Sequence, residues 1–201
     1  MVRRVNIFIG CLGAVLLSIL PPAIGALSLL PTGTFEIAPG DSSVTFAVPD
    51  NRGGFSGKTT KVTGRVVIEP PNDGGDYGAR VEAVIDAASI TTGNGSRDGN
   101  MRADFLRTGQ FPKITFNGTV SARPGLGVHP FPATIRGRLT IRDVTKRVEF
   151  LATVVALARE YRTDGTATIL MADFGIPYPR AFIFVARDPV TVTLHIVARQ
   201  H

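Results

Sequence analysis

The stretch from Thr134 to Val155 restricts the possible folds more than any other part of the chain. Ile135, Gly137, Leu139 and Ile141 alternate with Arg136, Arg138, Thr140 and Arg142. A period of two separates the faces of a β-strand, and here one face is apolar and the other basic. Past a polar turn around Asp143 and Lys146, Val148, Phe150, Ala152 and Val154 alternate with Arg147, Glu149, Leu151 and Thr153. Paired as a hairpin, the two arms bring their apolar rows to one side. A single hairpin of this kind would fit any β protein, but the pattern recurs along most of the chain.

The same alternation marks strands over Thr34–Ala38, Ser43–Pro49, Thr59–Glu69, Ala79–Ala87, Lys113–Ser121, Thr166–Ala172 and Val190–Ala198. Turn formers divide them, among them Pro39-Gly40-Asp41 and Asn51-Arg52-Gly53-Gly54. Gly57 and Gly64 sit beside or within strands, where glycine commonly marks a bulge or a sharp bend. One segment changes period: Asp98 reads as the cap of a short helix carrying Met101 and Phe105, with Gly109 as its end. Residues 123–132, 160–165 and 173–179 read as connections. Eight or nine strands joined by short turns, with one inserted helix, predict an all-β, extended antiparallel barrel of about eight strands. Such a barrel has room inside for one apolar ligand. A β-sandwich is the alternative, and the long glycine-bearing strands favour the barrel.

Arg3 and Arg4 precede an apolar run from Val5 to Leu20, followed by Pro21, Pro22 and the small residues Ala23, Gly25 and Ala26. This is the layout of a secretory leader, with cleavage expected near Gly25 or Ala26 and an uncleaved membrane anchor as the alternative. The expected organisation is a signal peptide over 1–26 and one domain over 27–201, exported to the periplasm. Cys11 is the only cysteine and lies in the leader, so the mature chain has no disulfide and no thiol nucleophile.

The net charge is +6. The arginines stand singly along strands, with no basic tract interleaved with aromatics, so nucleic acid is not an expected partner. Peripheral contact with an acidic membrane is the partner class that a basic exported protein favours, and a homodimer is left open. His129, His195 and His201 are scattered, without metal-ligand spacing or a nucleophile elbow. No metal or cofactor is expected, and an enzyme is disfavoured. Arg97, Asp98 and Asp173 are the charged residues best placed at a barrel rim. They act either as local capping and ion-pair groups or as contacts to a ligand head group.

Five pieces, in order, resemble the YceI-like family. They are residues 35–46 (FEIAPGDSSVTF), residues 85–98 with Ile-Asp, Ser-Ile-Thr-Thr and Arg-Asp, residues 111–116 (FPKITF), residues 137–145 (GRLTIRDVT), and Asp173-Phe174-Gly175-Ile176. Those proteins are bacterial periplasmic polyisoprenoid-binding proteins with a lipocalin-like barrel. The resemblance therefore implies one lipocalin-like barrel holding a polyisoprenoid, an isoprenoid-quinone-like lipid or another long chain in an apolar tunnel.

The inward rows supply the tunnel lining: Phe46, Val66, Ile68, Ile85, Phe105, Phe116, Leu139, Ile141 and Phe150. Burying a tail there is worth about 0.8 kcal/mol per methylene before ordering costs. The competing expectation is a barrel filled by its own side chains, with function moved to the basic outer face as an interaction surface for membranes or a partner.

Overall fold

The computed structural model describes residues 30–125, 129–178, 180–181 and 184–200. The expected leader lies outside these residues. Among the described residues twelve strands are present: β1 (Gly33–Ile37), β2 (Ser43–Val48), β3 (Phe55–Thr59), β4 (Val62–Ile68), β5 (Tyr77–Asp86), β6 (Lys113–Ala122), β7 (Phe131–Ile141), β8 (Val144–Leu157), β9 (Glu160–Ile169), β10 (Arg180–Ala181), β11 (Phe184–Val185) and β12 (Val190–Arg199). Eight of them close an antiparallel ring in the order β1-β4-β5-β6-β7-β8-β9-β12, with β12 returning to β1. The fold is the all-β barrel that the alternation predicts.

The ring is not uniform along its axis. β12 pairs with β1 only at Ala198 and Arg199, whereas Thr191–His195 pair with β2, which in turn pairs with β3. One strand at one end is thus replaced by two at the other, and a barrel's bore grows with strand number. At the handover the Ser42 hydroxyl, fully buried, accepts from the Val197 N–H at 3.0 Å and donates to the Val197 carbonyl at 3.3 Å. The Ala38 N–H reaches the same carbonyl at 2.8 Å. These bonds satisfy backbone that the partner change would otherwise orphan.

Several boundaries differ from the sequence expectation. The expected strand over Thr59–Glu69 is divided, Thr59 ending β3 and Val62–Ile68 forming β4, and Phe55–Lys58, to which no element was assigned, belong to β3. Gly57 there has no side chain to hold a sheet, but the Phe46 ring on the paired residue lies over it, in the space a Cβ would need. β9 begins at Glu160, not Thr166. Its polar start faces outward, where Glu160 accepts from Arg162 at 2.6 Å and Arg199 at 2.7 Å. The central hairpin turns tightly at Arg142-Asp143, with Arg142 at φ 59°.

The narrow end is a packed core. Phe35, Ile68, Phe131, Ala133, Val154, Tyr161 and Ala198 are buried together, with Phe35 edge-on to Tyr161 at 4.9 Å between centroids. The Tyr161 hydroxyl donates to the Pro31 carbonyl at 2.6 Å, and burial pushes its pKa up. On the outer face Arg65–Glu82, Arg80–Glu69 and Arg136–Glu149 form ion pairs. They neutralise part of the basic face that the alternation leaves outside.

Candidate ligand-binding cavity

The wide end is covered by the inserted helix, α1 (Gly95–Asn100). Its cap is Asn94, whose side chain accepts from the Arg97 N–H at 3.0 Å. Asp98, the expected cap, lies inside the helix and is only 5% exposed. Its carboxylate accepts from the Thr91 hydroxyl at 2.6 Å and from the Thr92 N–H and hydroxyl at 2.8 and 2.6 Å. Hydrogen bonds from Thr91 and Thr92 hold its pKa down at about 2. Asp98 therefore fastens α1 to the segment after β5. The helix then widens into a π-helical turn over Met101–Phe105, with the Leu106 N–H donating to the Met101 carbonyl at 2.7 Å, so it ends before Gly109.

A second piece closes the wall. β8 pairs with β9 only from Leu151 onward, which leaves Val144–Phe150 without a strand on that side. The 3-10 turn Ala172–Phe174 packs against β8 there, with Phe174 buried to 1% exposure. The Arg142 guanidinium donates to the Gly175 carbonyl at 3.1 Å and holds the turn in place.

Beneath these covers lies a cavity of about 840 Å³. Small-molecule sites span roughly 300–1,000 Å³. Phe46, Ile85, Phe105, Leu139 and Ile141, all expected in the lining, face it, as do Met101, Ile169, Met171, Phe174 and Ile176. Polar groups gather at the mouth: Asp50, Arg52, Asn94, Ser96, Arg97, Asn100 and Asp104. Arg97 lies over the Phe55 ring at 4.5 Å, a cation–π contact, while Phe55 stands edge-on to Phe46 at 6.3 Å. Asp50 accepts from the Gly54 N–H at 2.8 Å and the Arg52 N–H at 2.6 Å, and these bonds hold its carboxyl below the usual range.

The lining is therefore apolar below and polar at the rim, and among the described residues it includes no His, Cys or Lys. Among the described residues no group of three or more His, Cys, Asp or Glu is placed to hold a metal ion. No described helix is long and apolar enough to cross a membrane. His195 meets Asp164 at 2.7 Å on the outer face, away from the cavity.

Not every expected site residue meets here. Val66 and Ile68 line a separate cavity of about 70 Å³ at the narrow end. Phe116 and Phe150 line neither cavity; they stack edge-to-face between them at 6.0 Å. Asp98 and Asp173 line neither, Asp98 being turned toward Thr91 and Thr92 and Asp173 lying exposed on the 3-10 turn. The single extended tunnel that the resemblance implies is thus divided in this chain. Phe174 and Ile176 were missed because they lie in a connection without strand alternation, whereas Met171 stands at the end of the expected strand Thr166–Ala172 and Met101 on the expected helix, neither being read as lining. The apolar cluster Met171, Phe174 and Ile176 was the available signal.

An antiparallel barrel that closes on its own residues at one end and keeps an apolar, polar-rimmed cavity at the other is the architecture of a small-molecule binding protein. The chain belongs to the YceI-like domain family, which matches residues 35–198. A UPF0312 protein of Shewanella baltica is 31% identical over 163 residues, covering 72% of this chain and 83% of that protein. Burkholderia cenocepacia BcnA shares the fold with a TM-score of 0.64 at 18% identity, over 80% of this chain and 98% of that one. A polyisoprenoid binding domain from Saccharophagus degradans, implicated in plant cell wall breakdown, superposes with a TM-score of 0.60 at 16% identity, over 85% and 100% of the two chains.

Proposed function

We propose that this protein is an exported, non-catalytic carrier that holds one polyisoprenoid or similar apolar-chain lipid. The tail lies in the wide half of the barrel and the head group at the rim near Arg97. The observation that carries this reading is the apolar cavity of about 840 Å³ in a barrel whose other half is filled. Its support from relatives is membership of the YceI-like family and the likeness to a domain described as polyisoprenoid-binding. The leader-like residues 1–26 support periplasmic delivery, with residues 27–201 as the mature domain. Catalysis has no role in this reading.

Native mass spectrometry of the chain purified from its own host, followed by organic extraction, tests the proposal. A stoichiometric apolar adduct is expected. A bare chain that also takes up no offered prenyl lipid overturns it and returns attention to the outer surface.

A further inference from the structure

We propose that Phe116 sets the length of apolar chain this barrel retains, by closing the floor of the wide cavity. The inference rests on the carrier reading above and adds to it a limit on the ligand. Among the described residues the two cavities share no lining residue. Between them Ile135, Phe150, Ala152 and Ala167 are buried, with Phe116, Val120, Val148, Val192 and Leu194 packed against them.

Within this partition Phe116 is the member whose ring rests on bare backbone. Gly118 and Gly137 stand opposite each other on β6 and β7, one step nearer the narrow end than Phe116 and its partner Leu139. A Cβ on Gly118 would meet Phe116 Cζ at 2.7 Å, and one on Gly137 would meet the same atom at 2.5 Å. The ring therefore occupies the space that two side chains would have taken, and its edge-to-face contact with Phe150 reaches over β7 to β8. The inward positions directly under it on those two strands are glycines, and the next inward pair is Val120 and Ile135. Removing this one ring opens the partition over the two glycines, while Ile135 on β7 and Phe150 on β8 remain beside the gap.

A bound chain thus runs from the mouth to the partition that the Phe116 ring helps to close. Additional prenyl units fold back or stay outside, and they gain nothing from the narrow half. Affinity therefore climbs with chain length only until the floor is reached.

The test is a ladder of geraniol, farnesol, geranylgeraniol and solanesol, each competed against a fluorescent apolar probe on the mature chain. In the unmodified protein, affinity rises at least about tenfold per prenyl unit while the chain still lengthens into the cavity, then stays flat to solanesol. In Phe116→Ala, the rise continues past the point where the unmodified protein levels off. A ladder that climbs without a plateau in the unmodified protein overturns the proposal but leaves the carrier reading standing. So does a plateau at the same length in the folded variant. If no prenol binds at any length, the carrier reading fails and this proposal with it. Should Phe116→Ala not fold, Phe116→Leu is expected to move the plateau by a smaller step in the same direction, and an unmoved plateau there overturns the proposal.

Discussion

The two halves of this barrel are written in the same alternating code and come out differently. At the narrow end, one strand (β1) bridges β4 and β12, and Phe35, Phe131 and Tyr161 fill the bore. At the wide end, the β2–β3 pair replaces that strand, β8 parts from β9, and the inward residues are chiefly aliphatic. More wall at that level, with no side chains meeting across it, leaves a void. The difference shows that a period-two pattern fixes which residues face inward, whereas strand count and side-chain volume at each level decide whether they meet.

The sharpest way to break this comparison is to introduce a charge on the wide side. Leu139→Arg places a guanidinium in an apolar lining, where an unpaired charge is costly. Prenol affinity should fall by at least about a hundredfold, equivalent to about 3 kcal/mol, with the circular dichroism spectrum unchanged. A folded variant that retains lipid as before would contradict the assignment of the cavity.

The opposite experiment removes volume from the narrow side. Phe131→Ala empties a site only 2% exposed and should cost about 3–5 kcal/mol in denaturant unfolding. Prenol affinity under folding conditions should not change. Equal effects of Phe131→Ala on binding and on stability would mean that the two halves act as one.

Next in size is Ser42→Ala, which strips the Val197 N–H and carbonyl of their side-chain partner at the β1–β2 handover. A loss of about 1–3 kcal/mol is expected, because the N–H is left buried without an acceptor. An unchanged unfolding midpoint would show that the handover does not depend on the hydroxyl.

The smallest effect is on pH dependence. The folded pKa of Asp98, about 2, lies below the ordinary value of 3.8, so the carboxylate favours the folded state above pH 3.8. That contribution is lost as pH falls from there toward 2. Amide hydrogen exchange in α1 should rise over that interval in the native chain, and less so in Asp98→Asn. Identical pH profiles would remove Asp98 as the fastening of the cover.

Much of this was legible in the sequence. The rows of β4, β5, β6, β7 and β12 could be read directly, because each strand turns one apolar face inward and one polar face out. The inward assignment of Phe46, Ile85, Leu139 and Ile141 followed from the same rule. The partition could not be read, since it depends on where Phe116 falls along the axis relative to Gly118 and Gly137, which is set by the register between β6 and β7. The strand over Phe55–Thr59 was hidden because Gly57 takes its cover from Phe46 on the partner strand. Asp98 was misassigned as a cap because Asn94, a competent cap in its own right, stands four residues earlier, and the bonds of Asp98 run to Thr91 and Thr92 instead.

The most direct test of the central claim is to place a bound chain relative to the two halves by NMR, with isoleucine methyl-labelled protein and unlabelled farnesol. Intermolecular NOEs are expected to Ile85, Ile141, Ile169 and Ile176, which line the wide cavity, and not to Ile68 or Ile196 at the narrow end. NOEs to Ile68 and Ile196 as strong as those to the wide-end methyls, or NOEs confined to the outer surface, would contradict the account.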